Sequence, residues 1–114
     1  MLEAATKART LLEAKILALK GVTRKKSRWM DKDAFYIGRR EFAHFHARNQ
    51  IDVRLTIGYQ RKYSGLIRAD RRIVFRGKPS EWIQVRFRTS DDVNFAFKIV
   101  RLASKANQSV VRRS

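Results

Sequence analysis

The chain carries two histidines, His44 and His46, two residues apart. In an extended segment residues i and i+2 project from the same face, so the two imidazoles would stand side by side. A strand offers two neutral nitrogen ligands to one metal ion in this way. A third ligand would have to come from a carboxylate such as Glu41, Asp52 or Asp70. Glu41 stands at the opposite pleat phase from both histidines, so a local three-ligand set needs a bulge or turn at Arg40-Glu41. The competing use of the pair is as two half-exposed histidines on a solvent or groove face. The lack of an evident third partner favours that use.

Other chemistry has few footholds. Glu41 follows Arg39-Arg40 and reads as a salt-bridged strand residue or as a general base, of which the exposed ion pair is commoner. The absence of cysteine excludes a disulfide framework, a thiolate zinc site and a thiolate nucleophile. No serine sits in a strand–turn–helix elbow, and Ser64-Gly65 is not one. A phosphate-cradling glycine-rich loop is missing as well. The sequence leans away from an enzyme, and any catalysis is confined to Glu41, His44 and His46.

Charge supplies the second lead. Against 27 Lys and Arg stand 10 Asp and Glu, a formal net charge of +17. Such a surplus points to a polyanionic partner or to a surface selected for solubility. Basic residues interleaved with aromatics form the candidate nucleic-acid or anion surface: Arg39, Arg40, Arg61, Lys62, Trp82, Arg86 and Arg88. Arginine forks onto phosphate, and an aromatic face stacks an unpaired base. The charge is nevertheless spread along the chain. Only Arg24-Lys25-Lys26-Ser27-Arg28 forms a cluster, and no zinc finger, helix-turn-helix or RNA-recognition motif accompanies it.

The elements that must position these residues follow from periodicity. With 114 residues and 44% hydrophobic content the chain suits one domain, expected over 1–108 with a basic tail at 109–114. No run of about 18 apolar residues is present, so no membrane span is expected; Leu11 to Leu19 lacks the marks of a signal peptide. The expectation is a soluble cytoplasmic protein. Ala8, Leu12, Ile16 and Leu19 mark a first helix over 2–20, stopped near Gly21. Residues 22–34 read as a basic loop that begins or ends in a short strand. Phe35-Tyr36-Ile37 and Glu41 to His46 read as extended. Ile51, Val53, Leu55 and Ile57 alternate with polar residues, as a half-buried strand does, and a turn at Arg48-Asn49-Gln50 makes a hairpin. A short helix near 59–69, a strand at 72–76, a turn at 77–80 and a strand from Trp82 to Arg88 follow. Ser90 is the expected N-cap of a last helix fraying near Asn107, with Asp91 and Asp92 at its positive end. The fold class is α+β: an antiparallel sheet of four to five strands packed against an N-terminal and a C-terminal helix.

On Ile37-Gly38-Arg39-Arg40-Glu41-Phe42-Ala43-His44-Phe45-His46 the chain resembles the luciferase-domain family, small α+β proteins mostly of unknown function. The strand Asp52 to Leu55, the segment Ser80-Glu81-Trp82-Ile83-Gln84-Val85 and the helix start Ser90-Asp91-Asp92-Val93 follow in the family's order. The resemblance spans about residues 10 to 107. It implies that Glu41, His44, His46 and Trp82 belong to one functional patch, and it does not imply light emission. The stretch Gln60 to Arg72 departs from the family in being shorter and more basic. Two readings emerge. One is a luciferase-domain-like protein with a small-ligand or metal patch at Glu41-x-x-His44-x-His46; the other is a basic module for RNA or single-stranded DNA.

Overall fold

The alternating apolar residues of the two clearest strands, Ile51, Val53 and Leu55 with Ile83, Val85 and Phe87, all turn to one face and are buried there. Two long helices cover that face. The structure, a computed structural model, describes residues 2–76 and 79–113, with backbone alone for residues 2–5. The chain runs α1 (Leu2–Leu17), β1 (Val22–Lys26), β2 (Asp33–Ile37), β3 (Arg40–Ala47), β4 (Gln50–Arg54), α2 (Ile57–Lys62), α3 (Ser64–Ile67), β5 (Ile73–Phe75), β6 (Trp82–Arg86) and α4 (Ser90–Arg113). Among the described residues the strands make one antiparallel sheet in the order β1-β2-β3-β4-β6-β5. Helix α4 packs across β2, β3, β4 and β6, and α1 packs on α4. Ala8, Leu12 and Ile16 of α1 meet Val93, Ala96, Ile99, Val100 and Ala103 of α4 and the inward residues of the sheet in one core. The α+β class and the two flanking helices are as the periodicity indicates.

The sheet has six strands rather than four to five. The added strand, β1, occupies the first part of the expected basic loop. Its residues Thr23, Arg24, Lys25 and Lys26 are all exposed, so no alternation betrays it. Backbone pairing from Val22↔Ile37 to Lys26↔Asp33 holds it as an edge, where charged side chains are tolerated. The hairpin joining β2 to β3 turns at Gly38, whose φ of +58° needs no Cβ penalty.

Helix α4 differs from expectation at both ends. Thr89, not Ser90, caps it: the Asp92 amide donates to Thr89 Oγ1 (3.1 Å), and the Thr89 amide donates back to the Asp92 carboxylate (3.1 Å). This is the reciprocal box of a helix start, with Asp in the returning position. At the other end the helix continues to Arg113, because Ala106 and Asn107 are buried instead of frayed. Asn107 donates to the Arg54 carbonyl (2.8 Å) and accepts from Arg40 Nε (2.6 Å). Two short helices, α2 and α3, stand where one was expected, and residues 77 and 78 of the expected turn lie outside the described residues.

Candidate functional site

Two irregularities of β3 assemble the site. Tyr36 pairs with Glu41 and Phe35 with Ala43, which leaves Phe42 as an extra residue. Phe42 and Ala43 consequently both enter the core, and the strand regains its phase one residue late. Glu41 and His44, at opposite pleat phases in a regular strand, come to lie on the same outer face. A second shift lies between Phe45↔Ile51 and Ala47↔Gln50, with His46 the extra residue. It brings Asp52 directly opposite His44.

A chain of hydrogen bonds then crosses the outer face over four neighbouring strands. Tyr36 on β2 donates to Glu41 Oε1 (3.2 Å) and to the Lys26 carbonyl (2.8 Å). On β3, Glu41 Oε2 faces His44 Nδ1 at 2.9 Å. His44 Nε2 faces Asp52 Oδ2 of β4 at 3.0 Å, and Gln84 of β6 donates to Asp52 Oδ1 at 3.2 Å. Each His44 ring nitrogen thus meets a carboxylate oxygen. Burial works against the charge on Asp52, but the hydrogen bonds from His44 and Gln84 and the histidine charges outweigh it. Its pKa is held below the ordinary 3.8. Burial, then the Glu41 carboxylate, raises the Tyr36 phenol and keeps it a donor.

Glu41 is only 1% exposed and accepts two further bonds, from Ser27 Oγ and from the Arg28 amide, both at 3.1 Å. Ser27 Oγ in turn accepts the Trp29 and Met30 amides. The Ser27 amide donates to the Lys32 carbonyl, and Lys32 Nζ donates to the His46 carbonyl. Glu41 thus anchors the loop between β1 and β2 onto the outer face. Glu41 is therefore a buried acceptor beneath the site, not an exposed ion pair.

The anchored loop sets Trp29 edge-on to Trp82, ring centroids 5.7 Å apart, and Trp82 lies 5.2 Å from the His44 ring. These rings border a cleft of about 310 Å³ lined by Trp29, Met30, His44, His46, Asp52, Arg76 and Trp82. Asp52 lies at its floor, 4% exposed, with His46 Nδ1 at 3.6 Å and an Arg76 guanidinium nitrogen at 4.0 Å. His46 is half exposed at the mouth. The arrangement offers hydrogen-bonding groups at Asp52 and His46 beside two indole rings.

The other sequence candidates separate. Arg40 is not available to an anion: it bonds to Glu81 (3.2 Å) and Asn107. Arg39 is exposed at the β2–β3 turn. Lys62 lies over the Tyr59 and Tyr63 rings. Arg86 and Arg88 are exposed, and neither lines either cleft described here. Arg61 lines a second cleft, beside the first. The seven-residue basic surface is therefore not one surface.

A metal ion finds no ready place. Both nitrogens of His44 are engaged by carboxylates, and among the described residues no group of three or more His, Asp or Glu has a metal-holding arrangement. Sequence reasoning also left Trp29 in an irregular loop and overlooked Gln84, Arg76 and the pair Arg54–Glu81 (2.9 Å). Gln84 carried a signal, standing between Ile83 and Val85 on the outward phase of β6.

A sequence model of the Luciferase domain family matches residues 39–103, more than half of the chain. That interval contains Glu41, His44, His46, Asp52 and Trp82, while β1, β2 and Trp29 precede it. No curated protein and no solved structure matches the chain. Among the described residues no helix is long and apolar enough to cross a membrane.

Proposed function

The chain belongs to the Luciferase domain family, and from that premise we propose that it binds a small aromatic molecule in the cleft that Trp29 and Trp82 line, above the His44–Asp52 pair. One observation carries the reading: a charged, buried hydrogen-bond chain ends at the floor of a cleft with aromatic walls. Burying ions costs several kcal/mol each, and stability alone is often as well served by apolar packing. Apolar walls around a few convergent polar groups are the usual form of a small-molecule site. Asp52 accepts a hydrogen bond from the ligand, and His46 at the mouth donates or accepts one. Binding rather than turnover is the reading, in line with aromatic walls around a few polar groups.

The chain has only two tryptophans, and both line the cleft. Their indole N–H resonances therefore report on this cleft, and that of Trp82 on the neighbouring cleft as well. Titration with phenol and with indole should shift both signals saturably, and His46→Ala should weaken the response. Unchanged resonances at millimolar concentrations of both compounds would refute the proposal.

A net charge of +17 and the exposed ring of Trp29 favour a second reading, a module for RNA or single-stranded DNA. Its affinity should fall steeply with salt, by close to one log–log unit per phosphate neutralised. No binding at low salt would end it.

A further inference from the structure

We propose that the second cleft, beside the first, is an oxyanion subsite, and that the ligand is an aromatic compound carrying a phosphoryl group. The proposal rests on the aromatic-ligand reading above and adds the class of its polar end. The cleft has a volume of about 570 Å³, and Arg61, Arg68 and Arg76 line it. They come from three places in the chain: α2, the end of α3 and the end of β5. Among the described residues no Asp or Glu lines the cleft.

What sets these three apart from the other arginines without a carboxylate is that they converge on one concavity. Carboxylates are scarce, 10 against 27 basic groups, and few arginines receive one: Glu13 and Asp33 lie on Arg24. Glu81 serves Arg40 and Arg54, and Asp70 and Asp92 serve Arg72. Arg61 and Arg68 have no carboxylate partner among the described residues, and Arg76 comes no closer than 4.0 Å to Asp52. Three guanidinium groups around one concavity repel one another until an anion arrives, and their planar forks match phosphoryl oxygens.

The remaining lining suits a small molecule. Ile57 and Phe75 are large apolar side chains about two-fifths exposed (40% and 41%), and Pro79 adds a third apolar surface. Gln60 donates to the Ser80 carbonyl at 2.7 Å, which ties α2 to the far wall. Trp82 and Arg76 line both clefts. A ligand stacked on Trp82 over Asp52 therefore reaches the arginines with its other end.

The test titrates the full chain with phenyl phosphate, phenol, inorganic phosphate and a thymidine oligonucleotide, reading the two indole resonances. Phenyl phosphate should bind at least about tenfold tighter than phenol, and Arg61→Ala or Arg68→Ala should each remove about tenfold of that, the usual scale for one charge-assisted hydrogen bond. Both variants should leave phenol binding unchanged, and Arg86→Ala should change neither. Equal affinity for phenol and phenyl phosphate overturns the oxyanion subsite while leaving the aromatic cleft standing. Failure of both to bind overturns both. Inorganic phosphate as tight as phenyl phosphate overturns the single-ligand claim. An oligonucleotide binding far more tightly than phenyl phosphate overturns the small-molecule class in favour of a polyanion.

Discussion

Replacing Glu41 by Gln changes one atom of the side chain and should remove a large part of the fold's stability. The carboxylate accepts from Ser27 Oγ, the Arg28 amide, Tyr36 Oη and His44 Nδ1, between 2.9 and 3.2 Å. An amide keeps one acceptor oxygen, so in either orientation two donors meet an NH₂ group. The less costly orientation keeps the oxygen on the Arg28 amide, which cannot rotate away, and on Tyr36. The NH₂ group then faces Ser27 Oγ, which already accepts two backbone amides, and His44. Each charge-assisted bond lost is worth about 1.5–3 kcal/mol, partly offset because no charge is buried. We expect a net loss of about 2–4 kcal/mol, a large share of the 5–15 kcal/mol typical of a domain. Urea denaturation followed by tryptophan fluorescence should show the midpoint lowered by about 1–2 M, at a slope near 2 kcal/mol/M. A midpoint unchanged within about 0.5 kcal/mol would show that Glu41 does not anchor the Ser27–Lys32 loop, and the assignment of its role would fall.

Three further outcomes follow from the geometry. Asn107→Ala leaves the Arg54 carbonyl and Arg40 Nε without partners and should cost about 2–4 kcal/mol in the same assay; a loss under about 0.5 kcal/mol would return Asn107 to a fraying helix end. Asp52, Asp70 and Asp92 all have pKa values held below the ordinary 3.8. Their stabilisation is therefore complete above that value and is lost as pH falls through the lower folded values. The urea midpoint should stay level down to about pH 5 and drop below about pH 4, and a midpoint that rises on acidification contradicts this. Gly38→Ala meets no clash, the nearest atom to the new Cβ being 3.7 Å away, but must hold φ near +58°. It should cost about 1–2 kcal/mol by thermal melting.

The parts of this fold governed by periodicity were legible in the sequence. Ile51, Val53 and Leu55, Ile83, Val85 and Phe87, and the wide apolar face of α4 each bury where their spacing places them. The parts governed by register were not. A two-residue turn at Arg48-Asn49 pairs Ala47 with Gln50, and continued regularly it would set Asp52 against Phe45. The extra residue His46 moves Asp52 opposite His44, and nothing in the residue types announces that bulge. Glu41 and His44 could be grouped by family resemblance, and their spacing said only that a bulge was needed. β1 was legible only as a short strand beginning or ending the basic loop, because an exposed charged edge strand owes its existence to its neighbour's backbone. Of the seven basic-surface candidates Arg40 is drawn into an ion pair with Glu81, which linear proximity of Arg and aromatic residues does not announce.

The pairing of β4 with β6 must be made across the intervening chain from Arg54 to Trp82, and the apolar pattern alone does not specify it. Ile51 faces Val85 and Val53 faces Ile83, but a slip of two residues would set Ile51 against Phe87 and Val53 against Val85, equally apolar. The polar groups remove that degeneracy. The slip would break Asp52–Gln84 and carry Glu81 roughly 7 Å along the strand. Arg40 and Arg54, both mostly buried, would be left without a counter-charge. The ion pairs around Glu81 and the chain through Asp52 thus act as a key for strand alignment. Their removal would yield a protein with its core still satisfied and its sheet in more than one register.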